Sequence, residues 1–353
     1  MSFPCLEIDC RKIAVNIKLI IRELKGHSID ILPVTKVFMG HPEIAATLVE
    51  SGAVMLADSR IENIERMRCA GIKVPMMLIR TPMLSQVERV VSSCEVSLNT
   101  ELVVIKALSE AARTIGYYHG VIIMVELGDL REGVMVNQLE SIIKKVLELP
   151  NIIINGIGAN LTCRYGVAPD RKNMDILSNL VNDIERRFDI KMKIISGGNS
   201  ANILWALKLE RPSRINQLRL GESIYFGVEA LKKQHITGTY KDAIILIAEV
   251  IESSVKPSKP WGCRYKNAFG DMPEIVERGM VNQALLAIGR QDVNPSGLRP
   301  PIGIKIVAST SDHLVVESEG HILKVGQTIK FRIDYVGLLS AMTSPYIKKN
   351  FYH

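Results

Sequence analysis

Ile31-Leu32-Pro33-Val34-Thr35-Lys36-Val37-Phe38-Met39-Gly40-His41 sets a primary amine at the end of a short apolar run and follows it with a glycine-containing turn. Such a run, bounded by a turn signal, reads as a β-strand. A lone lysine at a strand end usually snorkels into solvent along its aliphatic stem. At the end of a first barrel strand the same lysine delivers its amine to the open mouth, where barrels carry their chemistry. The segments on either side decide between the two.

Working outward, apolar runs bounded by turn residues recur at 30–36, 53–57, 75–79, 94–98, 120–127, 152–159, 191–196 and 216–220. Between them lie amphipathic helical patterns, among them Pro42 to Ser51, Ser59 to Ala70, Glu101 to Ile115, Asn137 to Leu147 and Arg171 to Arg187. Asp58 or Ser59 is expected to cap the second of these, and Asn99 or Thr100 the third, because a short side-chain oxygen satisfies free helix N–H groups. Eight strands separated by helices predict an α/β fold, a (β/α)8 TIM-type barrel spanning 10–235. From about Tyr240 the rhythm changes. Ala243 to Ile251 suits a strand or a buried helix, and strand-like runs at 282–288, 303–308, 313–317 and 328–334 follow without helices between them. They predict a smaller all-β C-terminal domain over 236–353, joined by an N-terminal strand at 1–9. The turn-rich stretch from Lys256 to Gly279 is too irregular for a hairpin, and long loops of that kind are usually functional.

A chain of 353 residues suits one large domain and one smaller one. No apolar stretch approaches the roughly 18 residues of a membrane helix, and the amino terminus lacks a basic region followed by an apolar one, so the expectation is a cytoplasmic protein with no membrane partner. The six cysteines show no CxxC spacing, which argues against a disulfide framework or a metal site. The net charge of +7 is spread along the chain and only 5% of residues are aromatic, which suits an enzyme for anionic ligands better than a nucleic-acid binder.

The strand ends carry the chemistry. Ser196-Gly197-Gly198-Asn199-Ser200 follows the seventh strand and Gly221-Glu222-Ser223 the eighth. Either glycine turn alone is a tight connection; two at adjacent strand ends point to a phosphorylated ligand. Arg219 lies inside the last strand, where a guanidinium needs a partner. Arg131, flanked by Gly128 and Gly133, suits a carboxylate clamp through two parallel hydrogen bonds, or a solvated loop charge. Asn160 presents an amide after the sixth strand.

The chain resembles the fold-type III pyridoxal-phosphate amino-acid racemases, the ornithine racemases more than the alanine racemases. The resemblance is carried by Leu6-Glu7-Ile8-Asp9, Val34-Thr35-Lys36, Ala57-Asp58-Ser59-Arg60, Gly128-Asp129-Leu130-Arg131-Glu132-Gly133, Gly156-Ile157-Gly158-Ala159-Asn160, Ser196-Gly197-Gly198-Asn199-Ser200, Leu218-Arg219-Leu220-Gly221-Glu222, Gly289-Arg290-Gln291-Asp292-Val293 and Thr343-Ser344-Pro345-Tyr346, in that order along nearly the whole chain. It implies pyridoxal 5'-phosphate joined to Lys36 as a Schiff base, with Lys36 also one of two acid/base groups. Ser200, Gly221, Glu222 through its backbone N–H, and Tyr346 match the phosphate-binding positions. Arg219 matches the arginine that meets the pyridine nitrogen, and Arg131 the one near the substrate carboxylate. Asn160 stands where alanine racemases have a histidine.

Racemisation needs a proton donor on each face. The resemblance implies that the second comes from the partner subunit of a homodimer with shared active sites; Tyr265 is the first candidate and Cys263 the second. Asp292 is a candidate for the distal ammonium of ornithine, or for an ion pair with Arg290. The expected activity is interconversion of L- and D-ornithine by α-proton exchange, with a broad basic-amino-acid or alanine racemase as the alternative. A D-amino-acid aldolase would need a metal, and a non-catalytic pyridoxal-phosphate protein would lack the β domain.

Overall fold

The computed structural model describes residues 3–209 and 213–353. By internal contacts the chain forms two units. One is Cys10–Lys241; the other joins strand β1 (Cys5–Asp9) to Asp242–His353.

In the larger unit eight parallel strands, β2 (Asp30–Pro33), β3 (Leu56–Asp58), β4 (Met76–Leu78), β5 (Val96–Asn99), β6 (His119–Val125), β7 (Ile152–Ala159), β8 (Ile194–Gly198) and β9 (Gln217–Leu220), pair in the order β2-β9-β8-β7-β6-β5-β4-β3. A parallel bridge between Val34 and Ala57 brings the two ends of that order together, so the sheet is a nearly closed barrel. Its interior is packed with Leu32, Val34, Ala57, Met77, Val96, Leu98, Ile122 and Met124. Each of the eight apolar runs of the sequence supplies one strand, which confirms the barrel. The β7 and β8 backbones approach so closely at Gly156 that a Cβ there would lie 1.7 Å from the Ile194 carbonyl oxygen. Gly156→Ala should therefore cost more than about 4 kcal/mol and show in thermal unfolding as a barrel that melts far below the wild type.

Two strand ends differ from expectation. The first run stops at Pro33, and Lys36 opens a 3-10 turn, Lys36–Phe38, because Thr35 leaves the strand direction: its N–H donates to the Ala57 carbonyl at 2.8 Å and its hydroxyl to Asp58 at 2.7 Å. The seventh run extends to Gly198, so its glycines form the strand end itself. The expected caps are also corrected. Helix Ile61–Cys69 has Arg60 and helix Leu102–Thr114 has Glu101 at the cap position, neither with a side-chain cap. Asp58 spends its carboxylate on Thr35, on the Arg60 N–H at 2.9 Å and on Asn63 Nδ2 at 2.9 Å, while the Asn99 amide turns back to Ser97.

In the smaller unit β10 (Ile244–Pro257), β11 (Met280–Leu286), β12 (Leu298–Arg299), β13 (Ile304–Ser309), β14 (Leu314–Ser318), β15 (Thr328–Ile333) and β16 (Lys348–Tyr352) form a sheet ordered β12-β15-β10-β11-β14-β13. Strand β1 pairs antiparallel with β10 and parallel with β16. The ambiguous run at 243–251 is thus a strand. The expectation of an all-β domain needs one correction, a helix over Tyr335–Thr343, started by Asp334, whose carboxylate accepts from the N–H groups of Val336 and Gly337 at 2.9 and 3.2 Å.

Candidate active site

Lys36 is half-buried, and its backbone is held from both sides. Before it, the Thr35 hydroxyl is locked to Asp58, and burial pushes that carboxyl up although four donors oppose the shift. After it, the Phe38 ring packs edge-on to Tyr225 with centroids 4.8 Å apart, and the Tyr225 hydroxyl donates to the Val34 carbonyl at 2.9 Å. The backbone that carries the amine is therefore held in place by its sequence neighbours Thr35 and Phe38.

Arg219 is only 4% exposed. Its Nη1 donates to the Ser196 hydroxyl at 2.5 Å, and Nη2 to the Ala159 carbonyl at 2.8 Å and Asn160 Oδ1 at 3.3 Å. All three acceptors are neutral, and among the described residues Arg219 makes no ion pair. Burial pushes its guanidinium down to about 10, with Glu132 opposing the shift from a distance. Asn160 Oδ1 also accepts from Asn199 Nδ2 at 3.1 Å, whereas Asn160 Nδ2 is buried with no partner among the described residues. Ser196 and Asn199 thus belong to the arginine's surroundings, roles that their place in a glycine turn does not announce.

The two glycine turns converge on Ser200. Its hydroxyl oxygen accepts from the N–H groups of Gly221 and Ser223 at 3.3 and 3.2 Å. The Ser223 hydroxyl is buried without a partner among the described residues. Glu222 opens the short helix Glu222–Phe226, and its carboxylate pairs with Lys233. Arg131 donates through Nε and Nη2 to Glu132. Burial alone would lower the Arg131 guanidinium, but the Glu132 bond together with the nearby charges of Glu132, Cys163 and Asp129 outweighs it and the group titrates above its ordinary value.

The remaining candidates lie in the smaller unit. Asp292 is 7% exposed; its oxygens accept from the Ser344 hydroxyl at 2.9 Å and the Gly289 N–H at 3.2 Å. The pairing of Asp292 with Arg290 does not form: Arg290 donates to Ser309 and stacks over the Phe269 ring, 4.0 Å from its centroid. The Ser344 hydroxyl also accepts from the Tyr346 N–H at 3.2 Å, so Asp292 braces the turn that carries Tyr346. Tyr346 is exposed, as are Cys263 and Tyr265 in the loop between β10 and β11.

The profile of the alanine racemase N-terminal domain matches residues 8–229, the segment that holds Lys36, Arg131, Asn160, Ser200 and Arg219. The chain belongs to the alanine racemase family. A member from Acetoanaerobium sticklandii, named ornithine racemase, is 38% identical over 98% of this chain and 99% of its own. A lysine racemase from Thermotoga maritima is 35% identical over 99% of this chain and 98% of its own. The crystal structure of alanine racemase from Clostridium difficile 630 in complex with cycloserine superposes with a TM-score of 0.74 at 17% identity, covering 99% of this chain and 96% of that one, which attests the alanine racemase fold. No helix among the described residues is long and apolar enough to cross a membrane.

Proposed function

We propose that this amino-acid racemase binds pyridoxal 5'-phosphate at the barrel mouth and interconverts L- and D-ornithine. The observation that carries the reading is the buried Arg219 guanidinium with only neutral acceptors, bonded to an asparagine whose own N–H donors lack a partner. Buried donors of that kind call for an acceptor supplied from outside the chain. The barrel residues suit the cofactor: Ser200 and the N–H groups of Gly221 and Glu222 would take its phosphate, and Asn160 and Arg219 would face its ring.

When bound, pyridoxal 5'-phosphate supplies the electron sink that makes the α-proton of an amino acid removable. The protein does the rest. Lys36 anchors the cofactor and, through Nζ, takes up or returns the α-proton on one face. Arg219 donates a hydrogen bond without surrendering its proton, which keeps the sink weak and favours simple proton exchange over elimination or transamination. Arg131 orients the substrate carboxylate. On the other face the proton passes through Tyr265 of a second copy in a homodimer, with Cys263 as its rival; at 85% exposure the Tyr265 side chain is open to such a partner.

The test is deuterium exchange at the α-carbon, followed by chiral analysis, across ornithine, lysine, arginine, alanine and serine in the cofactor-loaded protein. Ornithine should exchange with inversion. Exchange of none would overturn the racemase reading, and alanine without ornithine would overturn the substrate. Lysine preferred over ornithine is the second reading, favoured by the Thermotoga maritima relative. Tyr265→Phe should lower the rate about 100-fold, with Cys263→Ser within about twofold of wild type. The reverse pattern would assign the proton to the thiol.

A further inference from the structure

The barrel unit holds a charge pair that only half takes part in the mechanism above. The Arg131 guanidinium donates to both carboxylate oxygens of Glu132, and the two side chains retain 41% and 28% exposure. Other carboxylates near the strand ends are committed to loop geometry. Glu126 accepts from the Gly128 and Arg131 N–H groups at 2.5 and 3.2 Å. Asp129 accepts from the N–H groups of Arg164, Tyr165 and Val167 at 2.9, 3.1 and 3.4 Å. Both oxygens of Asp292 are likewise engaged inside the smaller unit. Glu222 pairs with Lys233 and is largely buried, with 15% of its side chain exposed. Glu132 is the more open of the two, held by a side-chain cation on a partly solvated surface, and its charge is felt at the buried Arg219.

A partly exposed ion pair contributes little net stability, so it opens at small cost when a better partner arrives. An amino-acid carboxylate docking on Arg131 would displace Glu132. For a substrate with a neutral side chain, the freed Glu132 carboxylate would be left beside a second anion. For a substrate with a distal ammonium, the exchange is complementary: the carboxylate takes Arg131 and the ammonium takes Glu132. Specificity of this form rewards the matched ligand and penalises the mismatched one.

We infer that Glu132 is the specificity-determining carboxylate that receives the distal ammonium of a dibasic amino acid, released from Arg131 when the substrate carboxylate takes its place. The inference rests on the racemase reading and assigns to Glu132 the contact that the sequence had suggested for Asp292.

The experiment compares kcat/KM for ornithine and for 2-aminopentanoate, which has the same carbon chain without the ammonium, in cofactor-loaded wild-type, Glu132→Gln and Glu132→Asp proteins. Glu132→Gln should collapse the preference for ornithine by about 30-fold, chiefly through KM, as expected for loss of a charged hydrogen bond. Glu132→Asp should recover most of it. An unchanged preference in Glu132→Gln, with both substrates slowed by the same factor, would overturn the inference and leave Glu132 a support for Arg131. Wild-type protein that exchanges neither compound would overturn the racemase reading as well, so the two failures are told apart by the wild-type measurement alone.

Discussion

Lys36→Ala is expected to reduce racemisation by at least about 10,000-fold while moving the melting temperature by only a few degrees. Two losses combine: the anchor of the cofactor and the proton-transfer group of one face, each worth orders of magnitude by itself. The fold should survive because the turn at Lys36 is held by other contacts, the Thr35 hydroxyl on Asp58 and the Phe38 ring on Tyr225. The visible absorbance of the cofactor joined to lysine should disappear from the purified variant. Its persistence would mean that another lysine carries the cofactor, and a melting temperature lowered in proportion to the activity would make Lys36 a structural residue.

The barrel was legible because its signals are local. Each strand is a short apolar run between turn residues, and Lys36, Arg219 and the two glycine turns all fall at run ends that the alternation locates within a few residues. What stayed hidden depends on three-dimensional company. Asp58 looks like a helix cap because it precedes an amphipathic helix, yet its carboxylate faces Thr35, 23 residues earlier, and so braces the turn that carries Lys36. The convergence of the Gly221 and Ser223 amides on Ser200 joins two turns that are individually unremarkable in sequence. Strand β16 is a polar run, Lys348-Lys349-Asn350-Phe351-Tyr352, whose partner β1 lies at the other end of the chain. Helix Tyr335–Thr343 mixes strand-forming tyrosine, valine and threonine with two leucines, so no period separates it from a strand. The pairing of Arg131 with its neighbour Glu132 was equally invisible, because adjacent residues in a loop carry no fixed relation between their side chains.

Arg219→Met should lower racemisation about 1,000-fold, the upper range for loss of one preorganised donor, and yet leave the melting temperature unchanged or slightly raised. Burial holds the folded-state guanidinium near 10, below the ordinary arginine range, so the folded protein binds its proton less tightly than the unfolded chain does. Protonation of Arg219 therefore costs stability at every pH below about 10, and the cost is relieved only as pH rises above that value. Methionine removes the buried charge and fills a similar volume, an exchange that is often neutral or stabilising for the fold. Few partners are orphaned by it. Ser196 still donates to Gln217 at 3.1 Å, and Asn160 Oδ1 still accepts from Asn199, which leaves only the Ala159 carbonyl to lose its side-chain donor. That loss costs about 1–3 kcal/mol, comparable with the relief. Calorimetry of the variant at pH 7 alongside steady-state rates decides the matter. A fall in melting temperature of more than about 10 °C would show that Arg219 holds the barrel together. An intact fold with a collapsed rate would show that the chain accepts a buried, unpaired cation for the sake of the ligand it meets.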